Sequence, residues 1–405
     1  MGNHSSGDVV PEGDDGARKA DVTHYFTAGS WIEGAAVQQL EEIAGLPGMI
    51  SVAGFPDLHP GKYGPVGMVA LSQRLYPQLI GNDIGCGMSF FELSLPLRKF
   101  RVEKAAEQLR GLEQIDLGDM TTRLVEHDLA PDMRPQSLGT IGGGNHFCEL
   151  QAVDEMFESE AEGVAGRQKL YPLVHSGSRS LGAELFGQTL GGDEHLRDGL
   201  AAGSDAAVEW LARSGECVRW ASLNRQMVAE RAARALRADL SLIADVPHNL
   251  VRTTASGFLH YKGAAAVGAG VVAPVAGSRA TRSYLVQALA GAQRSHWGIS
   301  HGAGRKYDRK AMHGRVGTNR SERDALRVNA WGGVAICEDR NLLIEEAAGA
   351  YKDAAKVVAD LEAFGLVRPV AAMKPLVTYK NAQPQERRPQ KAKWERTTIR
   401  RMRHG

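Results

Sequence analysis

The sequence is poor in cysteine, in unbroken apolar runs and in excess charge of either sign. Four cysteines, Cys86, Cys148, Cys217 and Cys337, occur in 405 residues. So few in so long a chain argue against a disulfide framework and for a reducing compartment. No stretch reaches the ~18 consecutive apolar residues of a membrane-spanning helix. Gly263 to Gly277 is uncharged, but it is rich in Gly and Ala and contains Pro274. The first residues, MGNHSSGDVVPEGDDG, lack the apolar core of a secretory signal, so a cytoplasmic protein is expected. Forty-eight Lys and Arg against 47 Asp and Glu leave a net charge of +1. No global cationic field marks the chain as a nucleic-acid binder.

Glycine is abundant: 47 of 405 residues, well above the ~7% of ordinary proteins. Such an excess signals positions that need a left-handed backbone or a close approach to a ligand. Hydrophobic residues make up 43% of the chain, enough for a substantial core, which excludes a wholly disordered protein. The length allows two or three core-sized units or one large domain.

Residues 1–27 read as a flexible polar arm, 28–383 as one catalytic domain and 384–405 as a basic tail. Ser30 and Glu33 have the spacing of a capping box, with Ile32, Ala36 and Leu40 on one helical face and Gly45 and Pro47 ending it. From 48 to 95, apolar runs alternate with Gly, Pro and Asp, predicting strands and loops. Helices are expected over 101–114, from an N-cap at Ser204 to about Leu242, and from Tyr351 to Phe364, closed by Gly365. In the tail, Arg387, Arg388, Lys391, Lys393, Arg396, Arg400, Arg401 and Arg403 face only Glu386 and Glu395, a net +6. It reads either as a solvated extension or as a contact to a phosphate backbone.

Five segments share one pattern, an apolar run followed by a polar Gly-rich loop. They are Asn82 through Gly87, Gly142 through His146, His175 through Arg179, Pro247-His248-Asn249, and Ser300 through Arg305. Functional groups collect on such loops. Asp83-Ile84-Gly85-Cys86 alone reads as a turn aspartate beside a buried cysteine. Three more histidines beside Gly or Asn turns, His146, His175 and His248, point further. Thiolate, carboxylate and imidazoles together suit borderline divalent metals, although sequence distance does not show that they converge.

Two segments suit phosphate. Lys169 to His175 reads as a strand, Ser176 through Arg179 as a loop and Leu181 to Leu190 as a helix, whose first N–H groups and Arg179 would cradle an anion. Pro274 through Arg279, followed by Ser283, repeats the Gly-Ser-Arg chemistry. His301, flanked by Ser300 and Gly302-Ala303-Gly304-Arg305, is placed for close approach to a ligand. It reads either as a hydrogen-bonded turn histidine or as a nucleophile for phosphorus.

In this order, the segments resemble the RtcB-type RNA ligases over roughly residues 28–380. The likeness rests on Asp57 through Lys62 (DLHPGK), Asp83 through Met88 (DIGCGM), Leu138 through Glu149 (LGTIGGGNHFCE) and His175 through Gly182 (HSGSRSLG). It continues through His248-Asn249, Lys262-Gly263-Ala264, Gly277-Ser278 and His301 through Arg305 (HGAGR). Trp31 through Gly34, Gly81-Asn82-Asp83, Ile141 through Gly144 and Val377 through Lys380 look most like the release-factor-H-coupled branch.

The resemblance implies a mixed α/β (α+β) fold, with antiparallel sheets flanked by helices around a central metal and nucleotide cleft. It implies a ligase using GTP and two Mn²⁺ ions to join an RNA 3′-phosphate or 2′,3′-cyclic phosphate to a 5′-hydroxyl. Cys86 would bridge the metals, one completed by Asp83 and His146, the other by His175 and His248. His301 would carry the guanylate as a histidine–GMP intermediate. The nucleotide would lie among Asn145, His146, Phe147, Cys148, Glu149, His248, Asn249, Ala276, Gly277, Ser278, Arg279, Ser283, Gly302, Ala303, Gly304 and Lys380. The implied partners are such RNA ends and, functionally, a release-factor-H-type protein.

Tyr261, Ala276, Ser180 and Lys306-Tyr307-Asp308 depart from the family pattern, which bears on RNA contacts and guanylate geometry. Two other readings stay open: a metal-dependent hydrolase of cyclic phosphates, and a non-catalytic RNA-binding homologue.

Overall fold

Short apolar runs broken by Gly, Pro and Asp give this chain its strands, and two large sheets result. The computed structural model describes residues 19–157, 166–189 and 197–380. The basic tail 384–405 lies outside the described residues, as does the arm up to residue 18. Strands are numbered in chain order. The smaller sheet holds β1 (Asp21–His24), β2 (Met49–His59), β3 (Val66–Ser72), β8 (Asn249–Thr254) and β9 (Gly257–Lys262), in the order β1-β2-β3-β9-β8. The larger holds β4 (Gly87–Leu93), β5 (Phe147–Met156), β6 (Tyr171–Ser176), β7 (Leu240–Pro247), β11 (Val272–Val275), β12 (Ser283–Ala288) and β15 (Val367–Tyr379). Its order is β11-β12-β15-β5-β6-β4-β7, with β14 (Val334–Ile336) beside β15. A short pair, β10 (Ala264–Ala266) and β13 (Gly298–Ser300), completes the set. Pairing is antiparallel except for β1 with β2 and β14 with β15.

The helices are α1 (Gly34–Ala44), α2 (Val102–Leu109), α3 (Met120–Val125), α4 (Ser180–Thr189), α5 (Asp205–Leu236), α6 (Arg320–Ala325), α7 (Arg340–Glu345) and α8 (Ala354–Ala363). One apolar core joins the two sheets, with Phe55 and Val69 of the smaller meeting Phe90, Tyr171 and Leu173 of the larger. α1 covers the far face of the smaller sheet through Ala36, Leu40 and Ile43. α2 and α5 cover the far face of the larger, where Leu109, Val228 and Ala232 meet Leu150 and Val174. Each buried Val, Leu or Ile side chain among these contributes about 1.5–3 kcal/mol. This is the expected architecture of antiparallel sheets flanked by helices. Among the described residues no helix is long and apolar enough to cross a membrane.

Several expected boundaries moved. The arm ends earlier than residue 27, because Asp21–His24 pairs in register with Ser51–Gly54. The capping box does not form: Glu33 is the N-cap of α1 without a side-chain bond, and the Ser30 hydroxyl goes to Asp360 instead. A partner on α8 outcompetes the local cap. The long helix begins at Ser204 as expected but stops at Leu236, where Arg237 takes a left-handed conformation with φ 54°. Leu242 instead pairs with Phe91 in the sheet. The last helix starts at Ala354 on an Asp353 cap rather than at Tyr351, whose backbone bridges to Arg305.

Candidate active site

Strand ends bring the five Gly-rich segments together. Asp83 and Cys86 precede β4, His146 precedes β5, His175 lies in β6, His248 links β7 to β8, and His301 follows β13. β4 pairs with both β6 and β7, and β6 also pairs with β5, so these loops emerge side by side.

Cys86 Sγ lies 3.3 Å from His146 Nε2 and 3.2 Å from His175 Nε2. His146 Nε2 is 2.8 Å from Asp83 Oδ2, and His175 Nε2 is 3.3 Å from His248 Nε2. Two groups result, Asp83–Cys86–His146 and Cys86–His175–His248, sharing the sulfur. Donor atoms held ~2.0–2.3 Å from one tetrahedral ion stand about 3.3–3.8 Å apart, so small adjustments suffice to admit cations. Among the described residues His248 Nδ1 is buried with no hydrogen-bond partner, while its Nε2 faces the cluster. Burial, then the surrounding histidines, hold the His175 and His248 pKa values well below the usual range, so both rings are neutral and keep a lone pair. Burial works to raise the Asp83 carboxyl, but His146, then Cys86 and Arg179, outweigh it and hold it low. Burial and the Asp83 charge push the Cys86 thiol well up, a proton that a bound metal would displace. The donor set fits borderline divalent ions.

The backbone around these ligands tolerates little. A Cβ on Gly177 would stand 2.1 Å from Asp83 Oδ1, so only glycine lets the carboxylate sit there. Behind the cluster, Arg225 of α5 is fully buried. Its Nη1 donates to the carbonyls of Gly85 (2.9 Å) and Ser176 (3.0 Å), next to Cys86 and His175, and its Nη2 pairs with Asp245 at 2.8 Å. Arg225→Met, which leaves the Asp245 carboxylate to the hydroxyls of Ser89 and Ser222 and frees both loops, is expected to cost about 3 kcal/mol of stability, the lower end for breaking a buried pair. Denaturant unfolding measures it, and a cost under about 1 kcal/mol would leave Arg225 as filler.

A cleft of about 550 Å³ opens beside this cluster. His301 lines it, with its ring 4.4 Å from that of His248. His301 Nδ1 is 2.8 Å from Asp57 Oδ2 and 2.6 Å from the Gly263 carbonyl. Asp57 is fully buried and also accepts from the Ser300 hydroxyl at 2.8 Å. The loop beyond His301 presses on β2: Gly304 has φ +71°, and a Cβ there would meet the Asp57 carbonyl at 2.2 Å.

Asn145, Phe147, Glu149, Ala276, Gly277, Ser278, Arg279, Gly302, Ala303, Gly304 and Lys380 line the same cleft. Burial lifts the Glu149 carboxyl to about 7, against hydrogen bonds from Thr378 and Gln151. Lys380 is 3.6 Å from Glu346 Oε2. Ser283 lies behind the wall, where its Oγ accepts from the Gly277 amide and from Gln151. Asn249 ties the clusters together, accepting from the Gly263 amide and donating to the Asp83 carbonyl.

Two expected nucleotide contacts turn their side chains away from the cleft space or tie them to its wall. Alternation along β5 sends Phe147 and Glu149 toward the cleft and the Cys148 side chain the other way, into the core under α2 and α5. Arg279 lines the cleft, yet its guanidinium donates to the carbonyls of Leu326, Glu346 and Leu343, so it braces the wall rather than offering a free fork. Sequence reading assigned no role to Asp57, Arg225 or Glu346. Asp57 opens the DLHPGK run, which was the available signal. Arg225 sits unmarked in a helix, and Glu346, which gathers Arg305, Arg309, Lys380 and the Tyr351 hydroxyl, follows another glutamate in no recognisable pattern.

A family model described as tRNA-splicing ligase RtcB matches residues 39–119 and 100–381. An RNA-splicing ligase RtcB2 of Escherichia coli is 39% identical over 359 residues, covering 87% of this chain and 93% of that protein. The RNA-splicing ligase RtcB of Mycobacterium tuberculosis is 26% identical over 435 residues, 84% of this chain and 99% of its own. A tRNA-splicing ligase RtcB of Thermococcus kodakarensis is 25% identical over 443 residues, 84% and 90% respectively.

Proposed function

The chain belongs to the RtcB family of RNA ligases, and from that premise we propose that it joins an RNA 3′-phosphate or 2′,3′-cyclic phosphate end to a 5′-hydroxyl end, using GTP and Mn²⁺. The observation that carries the reading is the Asp57–His301 pair in the wall of the cleft. One proton on His301 Nδ1 satisfies both Asp57 and the Gly263 carbonyl, leaving the lone pair on Nε2. Nε2 then attacks the α-phosphorus of GTP, a P–N bond forms, and the P–O bond to pyrophosphate breaks. Asp57 offsets the positive charge that the ring acquires. An oxygen of the RNA 3′-phosphate next takes the guanylate from His301, and the 5′-hydroxyl displaces GMP, losing its proton. Two Mn²⁺ ions, held by Asp83, Cys86 and His146 and by Cys86, His175 and His248, would neutralise phosphate charge and acidify the water that opens a cyclic phosphate. Lys380, Glu149, Ser278, Asn145 and the Gly302–Gly304 loop would hold the nucleotide.

The motifs at Trp31 through Gly34 and Val377 through Lys380 support placing the chain in the release-factor-H-coupled branch. With that branch come ribosomal or translation-associated RNA as substrate and the cytoplasm as the place of work. Purified protein incubated with GTP, Mn²⁺ and an RNA bearing 2′,3′-cyclic phosphate and 5′-hydroxyl ends tests the proposal. A joined product supports it; opened cyclic phosphate without joining or guanylylation would replace it with the hydrolase. Removing 384–405 is expected to weaken RNA binding and flatten its salt dependence, by about 0.7 in slope for each phosphate that the tail neutralises. An unchanged slope would return the tail to a solvated extension.

A further inference from the structure

The Lys306-Tyr307-Asp308 departure from the family pattern opens a cationic surface at the mouth of the cleft. Lys306 and Tyr307 line the cleft itself. The Tyr307 ring packs against the small core of Met312 and Ile344, and Arg305 Nε holds its carbonyl at 3.0 Å. Over this fixed ring lies the Arg315 guanidinium, 4.3 Å from the centroid, with Lys306 Nζ at 5.5 Å. Lys310 and Arg315 are exposed. Of the nearby acids, Glu346 pairs with Arg305 and Arg309, Glu345 faces His313, and Asp308 is exposed and accepts only from the Ala311 amide. Among the described residues Lys306, Lys310 and Arg315 have no carboxylate partner.

We propose that Lys306, Lys310 and Arg315, with Tyr307 as the support beneath the guanidinium, form a ramp that contacts the backbone phosphates of a single RNA strand entering the cleft. This rests on the ligase reading and adds where the RNA lies. Three cations without a carboxylate partner, against the single exposed carboxylate of Asp308, leave a net positive patch contiguous with the cleft wall that complements a polyanion. Stacking orients the guanidinium before binding and leaves its edge N–H groups free to fork onto a phosphate. The net charge of the whole chain is +1, so attraction must come from such a local patch.

The test is anisotropy of a labelled single-stranded RNA with a 3′-phosphate, over a salt series, on the full chain and its Lys310→Ala/Arg315→Ala variant. Neither side chain is buried, and circular dichroism checks the fold. The slope of log affinity against log salt is expected to fall by about 1.4, the share of two single-strand phosphate contacts. Arg315→Glu alone, with added repulsion, should weaken binding further than Arg315→Ala. Unchanged affinity and slope in both variants, beside normal wild-type binding, overturn the ramp and leave the ligase reading standing. A shift in GTP affinity with RNA binding intact also overturns it, giving the patch to the nucleotide. A wild type that neither binds RNA nor takes up guanylate overturns the ligase reading and the ramp with it.

Discussion

His301→Ala takes up no label from α-labelled GTP and Mn²⁺, whereas the wild type holds an acid-labile, alkali-stable adduct. That outcome is expected because, among the described residues, no other cleft-lining imidazole has a nitrogen anchored by a carboxylate. His175 and His248 face the Cys86 sulfur and each other through Nε2. Asp57→Asn gives the finer result. An amide nitrogen facing Nδ1 would favour the tautomer whose proton sits on Nε2, removing the lone pair. The loss is expected at about 10²-fold, smaller than the ~10⁴ seen where a carboxylate is the imidazole's main anchor. Here the Gly263 carbonyl still accepts from Nδ1 at 2.6 Å. Label persisting in His301→Ala at wild-type level would remove His301 as the nucleophile.

The second large effect is expected from Cys86→Ala. Both candidate metal groups contain this sulfur, so its loss removes a donor from each. Mn²⁺ binding followed by paramagnetic resonance or calorimetry should fall from two ions to weak, unsaturable uptake. His248→Ala, which strips one group only, should retain one ion. Two ions of unchanged affinity in Cys86→Ala would show that the metals do not share the thiolate. Because the readout is binding, it separates a metal defect from a failure of guanylate chemistry.

Local structure was legible where one strong signal governed it. Pro and Gly bounded the strands between 48 and 95, Ser204 capped its helix, and Gly365 closed the last one. Legibility failed where a distant partner competed with a local one. Ser30 had a capping partner three residues away and chose Asp360, 330 residues on. Leu242 continued a helical pattern but entered edge strand β7 opposite Phe91, where pairing with β4 replaces a further turn of α5. Cys148 belonged to a convincing motif, yet strand alternation sent its side chain to the opposite face.

The sequence by itself determined the residue types of the site, the loops that bear them and the family. Each of those lies within a few consecutive residues, where Gly spacing and donor chemistry are local properties. The resemblance implied that Cys86 joins two ligand groups; tertiary structure alone decided that Asp57 rather than a nearer acid anchors His301, and that Arg225 clamps the loops from behind. Asp57 and His301 are 244 residues apart. Their contact is made by β2, β10 and β13 packing into one core, a cooperative outcome of many buried side chains that no short motif encodes.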